Sequence, residues 1–260
     1  MNAPNNAFGQ MMRSWRERRR LSQLELAMRA QVSSRHLSFL ETGRSRPSRD
    51  MVLRIASELD VPLAERNAWL VAAGHAPVFE RRAADDGATE AARLAVDWMV
   101  DRHDPYPALA IDRHWRLMRL NETAEGLLSI FGLAIGDSLL DAMTSEAMAG
   151  VLLNRLDVLE HARRRLGEQL SYYGEDAVLS AALGRIDAVL EAAAPGDARD
   201  AVAQLGPFVT ARYALGDTEL ALLTTLTHFQ GAQDIALSEL RVELMFPADE
   251  ASRKFLEGRS

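Results

Sequence analysis

The sequence predicts two joined folds, an all-α amino-terminal domain of five helices and an α+β carboxy-terminal domain, and three observations carry that reading. Apolar residues recur at helical spacing from Phe8 to about Ala73. Short apolar runs separated by turn residues, the pattern of strands, enter only after the prolines of DPYP at 104–107. Charge also divides the chain: residues 1–82 hold 14 arginines against 8 acids, whereas the remaining 178 hold 16 bases against 29 acids. With 260 residues, 48% of them hydrophobic, the chain can fill two ordinary cores. The expected boundaries are 1–78 for the first domain, 79–92 for a linker and 93–260 for the second.

Helix by helix, the first domain follows from its caps. Phe8, Met11, Met12 and Trp15 make one apolar stripe, with Arg13, Arg16, Arg18, Arg19 and Arg20 filling much of the rest. Ser22 with Glu25 three residues on is a capping box that starts a second helix, ending near Ala30. Gln31 and Val32 form a short turn, and Ser33 caps a third helix carrying Leu37 and Leu40 inward. Gly43 offers a left-handed C-cap and Pro47 prevents continuation. Ser48 opens a fourth helix with Met51, Val52, Ile55, Ala56 and Leu59 as its stripe, and 63–73 reads as a fifth. The second and third helices are too short to persist alone, so they must pack across the tight turn between them, in helix-turn-helix geometry.

The stretch LSQLELAMRAQVSSRHLSFLETGRSRPS resembles the Xre-type, phage-repressor-like DNA-binding family, matching it at Leu26, Ala27, Val32, Ser33, Leu37, Glu41, Gly43 and Pro47. The resemblance implies that Gln23 bonds a DNA phosphate beside a helix N-terminus. Arg44 and Arg46 are further phosphate clamps. Ser33, Ser34 and Arg35 occupy the helix end that reaches base edges, with Arg35 suited to a guanine, and Ser38 and Phe39 follow one turn later. Phe39 either touches a thymine methyl or packs on a neighbouring helix. The same resemblance implies an ion pair between Arg16 and Glu41 that orients the third helix.

In the second domain, 94–99 continues a helix out of the polar segment ERRAADDGATEAA. PALAIDRHWRLMRLNETAEGLL then reads as strand, hairpin, strand and a helix capped by Asn121. From 145 to 191 the pattern is helical, broken near YYGED. Phe208–Leu215 and Glu219–Phe229 form a hairpin about Gly216-Asp217, Leu240–Phe246 is a last strand, and 248–257 a closing helix. The stretches PYPALAIDRHWRLMRLNETAEGLL and SELRVELMFPADE resemble the MmyB-like ligand-binding domain found behind Xre-type helices. That resemblance implies a PAS-like fold with a small-molecule pocket between sheet and helices, and a fatty acid or other apolar molecule as ligand. Strand alternation puts Leu220, Leu222, Thr224, Leu226 and His228 on one face, and Val242, Leu244 and Phe246 on one face of the last strand, both expected to point inward. His228 either meets the polar end of a ligand or is satisfied by backbone, and Trp115, Met118 and Tyr213 are wall or core residues.

Other chemistries find no support. Without cysteine there are no disulfides, thiolate metal sites or cysteine nucleophiles. The six histidines lack the spacing of a metal site, and no phosphate loop or nucleophile elbow is present. The opening MNAPNNAFGQ lacks an export pattern and the longest apolar strip, 220–229, is too short for a bilayer, so a cytoplasmic protein without membrane partner is expected. The expected function is a non-enzymatic, homodimeric regulator that binds operator DNA and answers a small apolar or amphipathic effector. The alternative is a constitutive or antitoxin-like repressor whose second domain only dimerises or binds a protein partner.

Overall fold

Amphipathic stripes and serine caps build the first unit of the structure, a computed structural model that describes residues 6–82, 90–193, 209–229 and 232–258. Its helices are α1 (Ala7–Arg18), α2 (Gln23–Arg29), α3 (Ser34–Glu41), α4 (Arg49–Glu58) and α5 (Leu63–Ala72). Ser22 and Glu25 complete the reciprocal capping box, and the Ser33 and Ser48 hydroxyls accept from the amides of His36 and Met51. The turn between α2 and α3 is a Schellman motif. The Val32 amide donates to the Ala27 carbonyl at 2.9 Å and that of Gln31 to Met28 at 3.2 Å, which places Gln31, a non-glycine, at φ +53°. Helix α3 ends the same way, with Gly43 at φ +73°. Met12, Trp15, Leu26, Leu37, Leu40, Ile55, Trp69 and Leu70 form the shared core.

The second unit is centred on a five-stranded antiparallel sheet in the order β2-β1-β5-β4-β3, with β1 Ala108–Ile111, β2 Leu117–Leu120, β3 Thr210–Leu215, β4 Thr218–His228 and β5 Arg241–Pro247. The helices are α6 (Glu90–Asp101), α7 (Glu122–Ile130), α8 (Leu139–Thr144), α9 (Glu146–Ala149), α10 (Arg155–Tyr173), α11 (Ala177–Ala192), α12 (Ile235–Glu239) and α13 (Glu250–Glu257). The all-α and α+β classes are those the sequence predicts. Phe208 and residues 83–89 of the expected linker lie outside the described residues.

Both faces of the central strands are covered. Helix α6 sets Val96 and Val100 against Ala108, Ala110 and Val242. On the other face Leu127 of α7 and Leu256 of α13 meet Leu220 and Leu222. Register pairs Thr224 with Met245 and Leu226 with Glu243, so the even residues of β4 share a face with the odd residues of β5. Leu244 is therefore on the α6 face, not the inward face expected of it. It alternates along β5 as the sequence predicts, but in a strand buried on both sides alternation alone does not say which face looks into a cavity.

Candidate functional site

In the first unit, Ser33, Ser34 and Arg35 are exposed at the amino end of α3, as are Arg44 and Arg46 in the loop after it. Ser38 and Phe39 are half-buried one turn further along. Phe39 is not a core residue. The Arg35 guanidinium lies over its ring, 5.4 Å from the centroid, so the two side chains form one surface feature.

Behind that surface α3 is held by a buried carboxylate. Glu41 accepts from Arg16 Nε at 2.6 Å and Nη2 at 3.3 Å, while Arg16 Nη1 donates to the Leu21 carbonyl at 2.8 Å. Gln23 Nε2 donates to the second Glu41 oxygen at 2.6 Å, so the amide assigned by resemblance to a phosphate is here engaged inside the protein. Gly9 allows the close approach: a Cβ there would stand 2.5 Å from the Leu40 carbonyl oxygen and 2.6 Å from that of Glu41.

In the second unit, a cavity of about 700 Å³ opens between the sheet and helices α7 to α10. Its apolar walls include Leu109, Leu127, Phe131, Met143, Met148 and Met245. Loop 151–154 closes one side by pairing with the edge strand: Leu153 N donates to Arg212 O and Ala214 N to Val151 O, both at 2.8 Å. Trp115 reaches the cavity from an unusual backbone. It sits at φ +60°, in a turn where one Asp112 carboxylate oxygen accepts from the amides of His114 and Arg116. A left-handed conformation costs an ordinary residue about 1–2 kcal/mol, which the Asp112 turn offsets.

The cavity also has a polar corner. Glu243, 5% exposed, accepts from Arg165 Nη2 at 2.9 Å, and the Arg165 guanidinium lies 4.1 Å from the centre of the Trp115 ring. Burial, followed by the neighbouring Glu243 charge, pushes the Tyr213 phenol up to about 12. Burial first, and then the charges of Arg165 and Arg164, lower the His161 imidazole from its ordinary value.

Of the ligand-binding residues expected from the sequence, Trp115, Tyr213 and Leu226 line this cavity. The others do not. Leu222 packs in the core with Leu127 and Leu256, and Leu244 belongs to the α6 face. Met118 is 51% exposed on edge strand β2. Phe246 is 38% exposed and meets His103 edge-on, with centroids 4.8 Å apart. His228 is the exposed last residue of β4 and is not among the residues that line the cavity. The charged and imidazole residues that line the cavity, His161, Arg164, Arg165, Glu168 and Glu243, are ones the sequence reading does not assign to it. Glu243 had a signal: it is the one acid among the apolar residues of RVELMF, in a strand too buried to leave a charge unpartnered.

The comparisons with known proteins agree with this division. Residues 7–69 match the helix-turn-helix domain family and residues 92–258 match the MmyB-like transcription regulator ligand binding domain. None of the curated proteins compared with the chain matches it. Among the described residues no helix is long and apolar enough to cross a membrane. The chain, with a DNA-binding helix-turn-helix ahead of a cavity-bearing α+β domain, belongs to the family of MmyB-like ligand-binding-domain transcription regulators.

Proposed function

We propose that this protein is an Xre-type, homodimeric transcription regulator of the cytoplasm whose operator binding is set by an apolar or amphipathic molecule, a fatty acid among the candidates, held in the cavity of the second unit. The observation that carries the reading is the apolar cavity of about 700 Å³, inside the range of about 300–1,000 Å³ that small-molecule sites occupy, in a chain whose other unit exposes the arginine-bearing amino end of a serine-capped helix. The sheet order β2-β1-β5-β4-β3, with a helical roof over one face, supports a PAS-like sensor. In the first unit, Arg35 carried on Phe39 reads a base edge, Ser33, Ser34 and Ser38 contact the same groove, and Arg44 and Arg46 hold phosphates. The constellation is one of binding and needs no catalytic group.

An effector can act only through unequal affinity for two arrangements of the dimer. Two half-sites about 34 Å apart would suit one of them. Footprinting genomic DNA with the purified protein, with and without a lipid extract of its host, tests the reading. A protected site whose occupancy changes with the extract is expected; protection indifferent to every extract overturns the sensing half.

A further inference from the structure

The charged residues that line the cavity cancel in pairs. Arg164 and Glu168 are exposed on α10, while Arg165 and Glu243 are paired deeper in. His161, lowered by burial, and Tyr213, raised by burial, are both uncharged at neutral pH. An anionic head placed in the corner would add a charge that nothing balances beside the buried Glu243 carboxylate, which is costly.

The pair is nevertheless unfinished. Its one mutual hydrogen bond runs from Arg165 Nη2 to Glu243 Oε1, and among the described residues neither group makes another. One face of the guanidinium is covered by Trp115, which fixes where its remaining N–H groups point. Glu243 is nine-tenths buried and keeps its second oxygen as an unused acceptor beside those unused donors. A fully satisfied buried pair is inert. This one presents a donor and an acceptor side by side at the edge of an apolar chamber.

We infer that the cavity takes an apolar chain ending in a neutral group that both donates and accepts a hydrogen bond, such as a hydroxyl, a carboxamide or an un-ionised carboxylic acid, held between Glu243 and Arg165. This rests on the sensor reading of the cavity and adds the chemistry of the ligand's polar end. A fatty acid fits it as the neutral acid, and its carboxylate form fits it poorly.

The test uses the full chain and three homologous series, straight-chain alkanols, alkanamides and alkanoates, titrated by calorimetry at neutral pH. Within each chain length the alkanol and alkanamide bind at least about tenfold tighter than the alkanoate, because the latter leaves Glu243 facing a like charge. The variant Glu243→Gln leaves Arg165 unneutralised, and the preference shifts at least about tenfold toward the alkanoate. The ratio is taken within each variant, and a melting curve verifies that the variant is folded, so a general loss of stability does not mimic the result. Tighter alkanoate binding by the natural chain, or an unchanged ratio in the variant, overturns the inference. Binding indifferent to the head overturns it while leaving a sensor of apolar chains; absence of binding by every compound, host lipid extract included, overturns both.

Discussion

The two units each bury an arginine–glutamate pair and use it oppositely. In the first, Glu41 receives three donors from Arg16 and Gln23, and Arg16 has a further acceptor in the Leu21 carbonyl. In the second, Glu243 and Arg165 share a single bond next to empty volume. A satisfied network fixes geometry, which is what a helix presented to DNA requires. A half-satisfied one is a poor brace and a good receptor. Burial of a salt bridge therefore indicates no role until its remaining hydrogen-bond capacity has been counted.

The same substitution at both pairs tests that contrast. Glu41→Gln strands the Arg16 charge in the core and is expected to cost about 3 kcal/mol, lowering the melting temperature of the first unit by on the order of 10 °C and weakening all DNA binding in step. Glu243→Gln, whose arginine is part-exposed and stacked on Trp115, should cost about 1 kcal/mol or less. Equal losses in calorimetric melting would mean that the two pairs play the same structural part.

A satisfied carboxylate exists in the second unit too, and it isolates the effect of completeness from that of the domain. Asp176, the N-cap of α11, is buried, which by itself raises its pKa. The hydrogen bonds from His114, the Leu179 amide and Arg113 outweigh that and hold the carboxyl at about 2. Because the folded value lies below the ordinary 3.8, its stabilisation is complete above about pH 4 and is lost as pH falls toward 2. That is about 2 kcal/mol. Melting from pH 5 downward should therefore fall more steeply for the natural chain than for Asp176→Asn, and parallel curves would refute the assignment.

The division between legible and illegible features follows the same physics. Caps and turns are local, so Ser22, Ser33, Ser48, the turn at Gln31 and Val32 and the left-handed cap at Gly43 are legible from a few neighbouring letters, although the left-handed backbone of Gln31 is not. The Arg16–Glu41 pairing was accessible only through resemblance, since 25 residues separate the two. In the second unit, period-two alternation located the strands but presumed one wet face, and β5 has none at Val242 and Glu243. Leu244 and Phe246 fall on the opposite face for that reason, whereas His228 shares the cavity's face but stands at the exposed end of β4. Helix α10 hid its role differently: its run of charged residues reads as a solvated face, yet His161 and Arg165 turn toward the cavity on successive turns.

The smallest expected effects on stability lie on the third helix, where exposed side chains act without a buried network behind each of them. Arg35→Ala should relax discrimination at one operator base pair by about 1–3 kcal/mol and leave binding to unrelated DNA nearly unchanged. Arg44→Ala should instead weaken every sequence alike and reduce the slope of log affinity against log salt by about 1. Phe39 divides these outcomes further. If its ring serves to carry the Arg35 guanidinium, Phe39→Leu keeps the bulk but removes the cation–π contact, worth about 0.5–1 kcal/mol at an exposed site. Specific affinity then falls only a few-fold, at the same base pair that Arg35 reads, and the loss disappears in the Arg35→Ala background. A loss that persists without Arg35, or maps to a different base pair, would make Phe39 a reader in its own right, touching a thymine methyl directly. Selection of operator sequences by the four proteins, natural, single and double variants, resolves the two, since the coupling between sites is read from the cycle and not from either variant alone.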